Sequence, residues 1–369
     1  MRPIPNLRRP AVAAAAMTAL VAAAIMPAAA AASTTPFLTS LPMQTVVAST
    51  VPSNGDINPY GIAVVPRTTG HLVKNDVLVS NFNASSNLQG TGTTIVQISP
   101  MGARTVFATV MSADVPSCVG GVGLTTALAV FRSGWVVVGS LPTTDGTSAT
   151  AKAGCLIVLD RWGHVARTIH GGSINGPWDM TALDRGDSAV LFVSNVLNGT
   201  VAAGGSVVDR GTVVRVDLSF EGMKPMVTSE RVIGRGFPEK TDPAALVLGP
   251  TGLALDSHGN LYVADTLDNR VAVIFNALGR MTASHMGMTV SAHHFLNQPL
   301  GLAMAPNGDV LAVNAADGNA VEISPAGHQV AKRLLDSTGA GTLFGLAVAP
   351  GGHGIYFVDD GSNNLQLLH

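Results

Sequence analysis

Charge is scarce in this chain. Asp, Glu, Lys and Arg make up 12% of its 369 residues, and the formal net charge is −2. That balance excludes the basic surface that holds nucleic acid or an anionic membrane. Glutamate is rarer still, with Glu221, Glu230, Glu239 and Glu322 the four in the chain. There is no Gly-x-Ser-x-Gly and no Gly-rich phosphate loop ahead of a helix, so neither a serine-hydrolase elbow nor a P-loop is present. No long segment with a 3.6-residue apolar period stands out, which argues against a helical architecture. Beyond the first 32 residues no run reaches the roughly 18 apolar residues of a membrane span.

The N-terminus has a distinct composition. Arg2, Arg8 and Arg9 precede an apolar, alanine-rich run over 11–26, then Pro27 and a small-residue tail over 28–32. This is the build of a secretory signal peptide, expected over 1–32 and set aside from the fold. Arg8-Arg9 leaves Sec and twin-arginine export both open. The mature chain is expected to be periplasmic or extracellular and monomeric, with a flexible lead over 33–42 and one domain over 43–369.

What the chain does have is a recurring unit of short apolar runs and tight turns. The fullest copy spans 249–275: GPTGLALD, the turn SHGN, LYVAD, the turn TLDNR, and VAVIF. Gly259 supplies the positive-φ turn position, and Asp268-Asn269 makes the next turn. A unit that cannot bury its own faces must recur. Further copies begin at 58 (NPYGIAV), 127 (ALAV), 176 (GPWDMTALD), 298 (QPLGLAMAPNGD) and 343 (LFGLAVAPGG). Each is followed by a second apolar run, ending at Asn81, Gly139-Ser140, Asn195, Asp265, Asn314 and Asp359.

Residues 250–273 resemble the NHL repeat, with its Pro-x-Gly-(apolar)-Ala opening and (apolar)-Tyr-Val-Ala-Asp second run. The resemblance implies an all-β, six-bladed β-propeller. The last copy is one strand short, so a strand over 43–49 (MQTVVAS) is expected to join the last blade and close the ring, removing exposed edges. Cys118 and Cys155 fall in one blade and are expected to pair, as two cysteines of an exported protein usually do. No histidine is close in sequence to either, as a catalytic thiol would require.

The start of each first strand lies beside the end of each second strand, on one face of the ring. That mouth is where a site is expected. Tyr60, Trp178, Asp179 and Phe344 are the candidate ligand-binding residues there, the rings for stacking and Asp179 for a polar contact. Asn81, Asn195 and Asp359 are the candidate ligands for Ca²⁺ or Zn²⁺. The alternative for each is a turn or strand-end hydrogen bond. Long polar loops over 83–92, 140–154 and 196–210 lie on this side and are candidate binding loops.

Propellers of the gluconolactonase and paraoxonase families hold calcium in the channel with Glu, Asn and Asp. None of the four glutamates here falls in an expected inner strand. Peptidyl-amidoglycolate lyases, closer in repeat style, place zinc-binding His beside the first-strand Gly, and here no His stands there. His293-His294 is the one histidine pair, in a loop. No catalytic residue is assigned. The leading expectation is a scaffold that binds a protein, peptide or glycan. The alternative is a Ca- or Zn-dependent hydrolase or lyase of lactonase type at the channel mouth.

Overall fold

The apolar runs form strands and the Gly-containing turns between them form hairpins. A computed structural model of the chain describes residues 35–369 and, outside these, only Met1. The signal segment expected over 1–32 therefore lies outside the described residues, Met1 apart. Six antiparallel sheets follow one another around a ring, each with its first strand innermost, so the chain is a six-bladed β-propeller. Those inner strands are Ile57–Val64, Leu124–Val130, Pro177–Asp184, Pro250–Leu255, Pro299–Met304 and Leu343–Val348. Each blade packs its second and third strands, almost wholly apolar, against its neighbours. Val263, Val193, Phe357 and Leu311 are fully buried in this way. Burial of such side chains, at about 1.5–3 kcal/mol each, is the main driving term.

The ring closes as the repeat count requires. Gln44–Ser49 pairs antiparallel with Asn364–Leu368 and completes the sixth blade. Met43 and His369 exchange two backbone hydrogen bonds of 2.8 Å at the end of this ladder. The lead expected to be loose over 33–42 is packed from Pro36 onward. A short 3-10 turn, Phe37–Ser40, buries Leu38, and Leu41 is buried beside it, against Ala331, Leu335 and Leu343. Glu322 holds this turn: its two carboxylate oxygens accept the Phe37 and Leu38 N–H groups, each at 2.7 Å.

The third blade departs most from expectation. The loop expected over 196–210 is present but ends at 207, and the strands after it are longer than the repeats suggest: Val208–Ser219 and the 17-residue strand Met226–Asp242. Four register shifts along this pair absorb residues that read as breaks, Gly211 and Gly234 among them. The long strand then adds Leu246–Leu248 as an extra rung. Cys118 and Cys155 form the expected disulfide, with Cα atoms 5.6 Å apart. It ties the loop before the second blade to that blade's third strand.

Candidate functional site

The inner strands show a common gradient. Pro299–Met304 and Leu343–Val348 are buried over their first four residues and half-exposed over their last two. The other four also end half-exposed. The channel is thus closed at the start of the inner strands and open at their ends, the reverse of the mouth expected from the repeats.

The closure is aromatic. Tyr60 stacks on Phe344 with centroids 3.9 Å apart and on Phe82 at 4.5 Å. Trp178 meets Tyr60 edge-on at 6.2 Å. All three rings proposed to face a ligand are buried, their faces engaged by one another or by Phe82. Leu300 fills the same level, and Leu141, Val196, Leu246 and Val247 cover it from above. The long loops lock together over this plug. Gln89 Nε2 donates to the carbonyls of Pro243 and Ala244 at 3.1 and 3.3 Å. Ser148 Oγ donates to Leu246 O at 2.6 Å. Glu239 accepts the backbone N–H of Asn198 at 2.9 Å and its side-chain amide at 3.2 Å.

The geometry explains the Pro-x-Gly opening. In every blade the register between first and second strands slips at this level, for example between Pro250 and Leu253. The slip brings neighbouring inner strands close. A Cβ on Gly301 would collide with the carbonyl of Phe344, and one on Gly345 with that of Tyr60. Glycine is the residue that permits such backbone approach.

Asp179 stands where this glycine is in the first, fourth, fifth and sixth blades. Pro177 pairs Asn195 and Met180 pairs Val193, as Pro250 pairs Asp265 and Leu253 pairs Val263. Trp178, not Asp179, is therefore the equivalent of Tyr60 and Phe344. The Asp179 carboxylate takes the place of the backbone contact: the Leu253 N–H donates to its Oδ2 at 3.0 Å. Its own N–H donates to Ser194 Oγ at 3.1 Å, and that hydroxyl donates to Thr251 O at 2.7 Å, joining blades three and four.

Below the plug the channel is a well of about 360 Å³, lined mainly by apolar side chains but with polar atoms making up about half of its surface, with Asp179 and Thr126 at its closed end and Val64, Leu255, Met304 and Val348 towards the opening. Asp179 is the one charged residue in this lining. Burial raises its carboxyl to about 7, against the pull of the Met180 and Leu253 N–H groups. Thr126 Oγ1 is buried without a hydrogen-bond partner. The arrangement can accept a hydrogen bond or pair a cation at the base of a well with no other charged side chain.

Asn81, Asn195 and Asp359 are each taken up in hydrogen bonds to nearby protein groups. Asn81 Nδ2 donates to Thr50 O at 3.1 Å and Thr94 Oγ1 at 3.3 Å. Asn195 Oδ1 accepts the Asn175 N–H at 3.2 Å. Asp359 accepts the Ser362 N–H at 3.1 Å and Gln366 Nε2 at 2.7 Å. Asn81 Oδ1 alone is left without a partner. One amide oxygen falls far short of the roughly six to eight oxygens Ca²⁺ takes. Among the described residues no three His, Cys, Asp or Glu are grouped to share an ion, so the donor set does not fit a channel cation.

The NHL repeat family matches residues 248–274, the fourth blade up to the end of its third strand. This chain is a six-bladed β-propeller with an NHL repeat in its fourth blade. The propeller is similar to a luciferin-regenerating enzyme, at TM-score 0.55 and 12% identity over 88% of this chain and 95% of that one. It is similar to a gluconolactonase from Xanthomonas campestris, at 0.52 and 12% over 88% of each. A catalytically inactive virginiamycin B lyase from Staphylococcus aureus, solved with quinupristin, matches at 0.51 and 15% over 89% and 85%. At these identities the likeness is one of fold. No curated protein matches the NHL propeller in sequence. Among the described residues no helix is long and apolar enough to cross a membrane.

Proposed function

We propose that this propeller is an exported, non-catalytic binding protein that takes a compact apolar group, carried by a small molecule or a peptide, into the open end of its channel. The observation that carries the reading is the channel itself: a well of ligand size lined mainly by apolar side chains, sealed at one end, with a single carboxyl at its base. The sealed end is built from the residues and loops that sequence reading offered as a mouth, so recognition moves to the opposite face. The donor set gives a metal-dependent hydrolase no support, because Asn81, Asn195 and Asp359 are engaged in hydrogen bonds to nearby protein groups. The signal-like segment over 1–32 and the Cys118–Cys155 pair support export, since disulfides persist in oxidising compartments.

The test is a thermal-shift screen of small apolar probes against the purified protein, with and without chelator. Probes are expected to stabilise wild type in either buffer and to leave an Ala303→Trp variant, in which a half-exposed residue of the channel lining is enlarged, unshifted. Stabilisation that persists in that variant would place the site elsewhere. Stabilisation lost on chelation would return the metal-dependent reading.

A further inference from the structure

We infer that the polar end of the channel ligand is an amine, held by Asp179 and Thr126; the inference rests on the channel reading above. The walls supply no countercharge. No Lys, Arg or His lines the well, and among the described residues no cationic side chain forms an ion pair with Asp179. The other inner strands bring Gly61, Ala127, Gly252, Gly301 and Gly345 to this level, and of the residues just before them, Tyr60, Thr126, Thr251, Leu300 and Phe344, Tyr60 alone titrates. Burial, with the nearby Asp360 charge, pushes its phenol well above the usual value, so it stays neutral.

Three ligand classes can be weighed against this floor. A carboxylate or phosphate would set like charge against Asp179 in a low-dielectric well, which is strongly unfavourable. A neutral alcohol or amide can donate to the carboxylate but leaves its charge uncompensated. An alkylammonium supplies both charge and several N–H donors. One donor reaches Asp179, whose only support comes from backbone N–H groups. A second has the buried, unpartnered Thr126 Oγ1 as acceptor. The alkyl or aryl body then lies along the Ala, Val, Leu and Met walls. The sequence signal agrees: a carboxylate occupies the glycine position in this blade alone, and it enters the channel base, not a turn.

The experiment compares 2-phenylethylamine, 2-phenylethanol and phenylacetate, which share one body and differ in head group, by titration calorimetry at about pH 8. The amine is expected to bind at least about tenfold tighter than the alcohol, with phenylacetate weakest. Asp179→Asn should remove the amine's advantage over the alcohol. Should that variant not fold, wild type answers alone: amine affinity should rise from about pH 5 to about pH 8 by more than alcohol affinity does. Equal binding of amine and alcohol overturns the amine and leaves the channel reading standing. Binding of none of the three overturns both.

Discussion

Tyr60 of the first blade lies flat against Phe344 of the last, with ring centroids 3.9 Å apart and planes 18° from parallel. The contact spans the seam where the chain's two ends meet, so one stack both plugs the channel and joins first blade to sixth. Phe344→Ala should destabilise the protein by about 3–5 kcal/mol, the range for truncating a buried ring. In urea the midpoint should fall with an unchanged slope. A loss under about 1 kcal/mol would mean that the plug does not hold the seam.

Cys118 and Cys155 are 37 residues apart in sequence and 5.6 Å apart at Cα. Cross-linking a loop of that length contributes about 3–4 kcal/mol in the chain-entropy treatment. The Cys118→Ser, Cys155→Ser double variant should lose about that much, and reductant should lower the midpoint of wild type but not of the variant. Two titratable thiols in the denatured, unreduced protein would contradict the bond.

The blade repeat was legible because every blade solves the same burial problem with the same short alphabet. Gly259 turns the hairpin, and Gly301 and Gly345 let inner strands touch. The open end of the channel was not legible. It depends on Tyr60, Trp178 and Phe344 converging from blades far apart in sequence, and no local pattern records that. The register of the third blade was misread by one residue for a related reason. With Asp179 in the glycine position, the landmark that aligned the other copies was missing. The same missing glycine was the signal of the site. The long hairpin of the third blade was not foreseen; Gly211, Gly234 and Gly236 lie at or beside its register shifts.

Glu322 is fully buried on the fifth blade, and three groups donate to it: the Phe37 and Leu38 N–H groups at 2.7 Å and Asn307 Nδ2 at 2.9 Å. A lone glutamate in an apolar strand gave no hint in sequence that it clasps the chain's own beginning. Glu322→Gln puts an NH₂ group against one of those donors and should cost about 1.5–3 kcal/mol. Limited proteolysis should then cut within residues 35–43, which wild type protects. Deleting residues 33–50 removes the closing strand as well and should lower the melting temperature further. An unchanged melting temperature after that deletion would refute the closure.

The buried carboxyls give the protein an inverted acid response. Burial raises Asp179, Glu239 and Asp360 each to about 7. In the unfolded chain such groups titrate near about 4. Between those values the native state keeps protons that the unfolded state has released, so stability falls as pH rises through that window and levels off above it. For Asp179 the shift of about three units amounts to at most roughly 4 kcal/mol. The check is the unfolding free energy of wild type and Asp179→Asn from about pH 4 to about pH 8. The variant should overtake wild type as pH rises, because its neutral amide carries no charge to bury. A saturating amine should close that gap from the other side, since the bound ammonium pairs with the ionised carboxylate and restores stability at high pH. If the two curves run parallel, Asp179 ionises in the native channel as freely as in the unfolded chain, and the well is wetter than its lining implies.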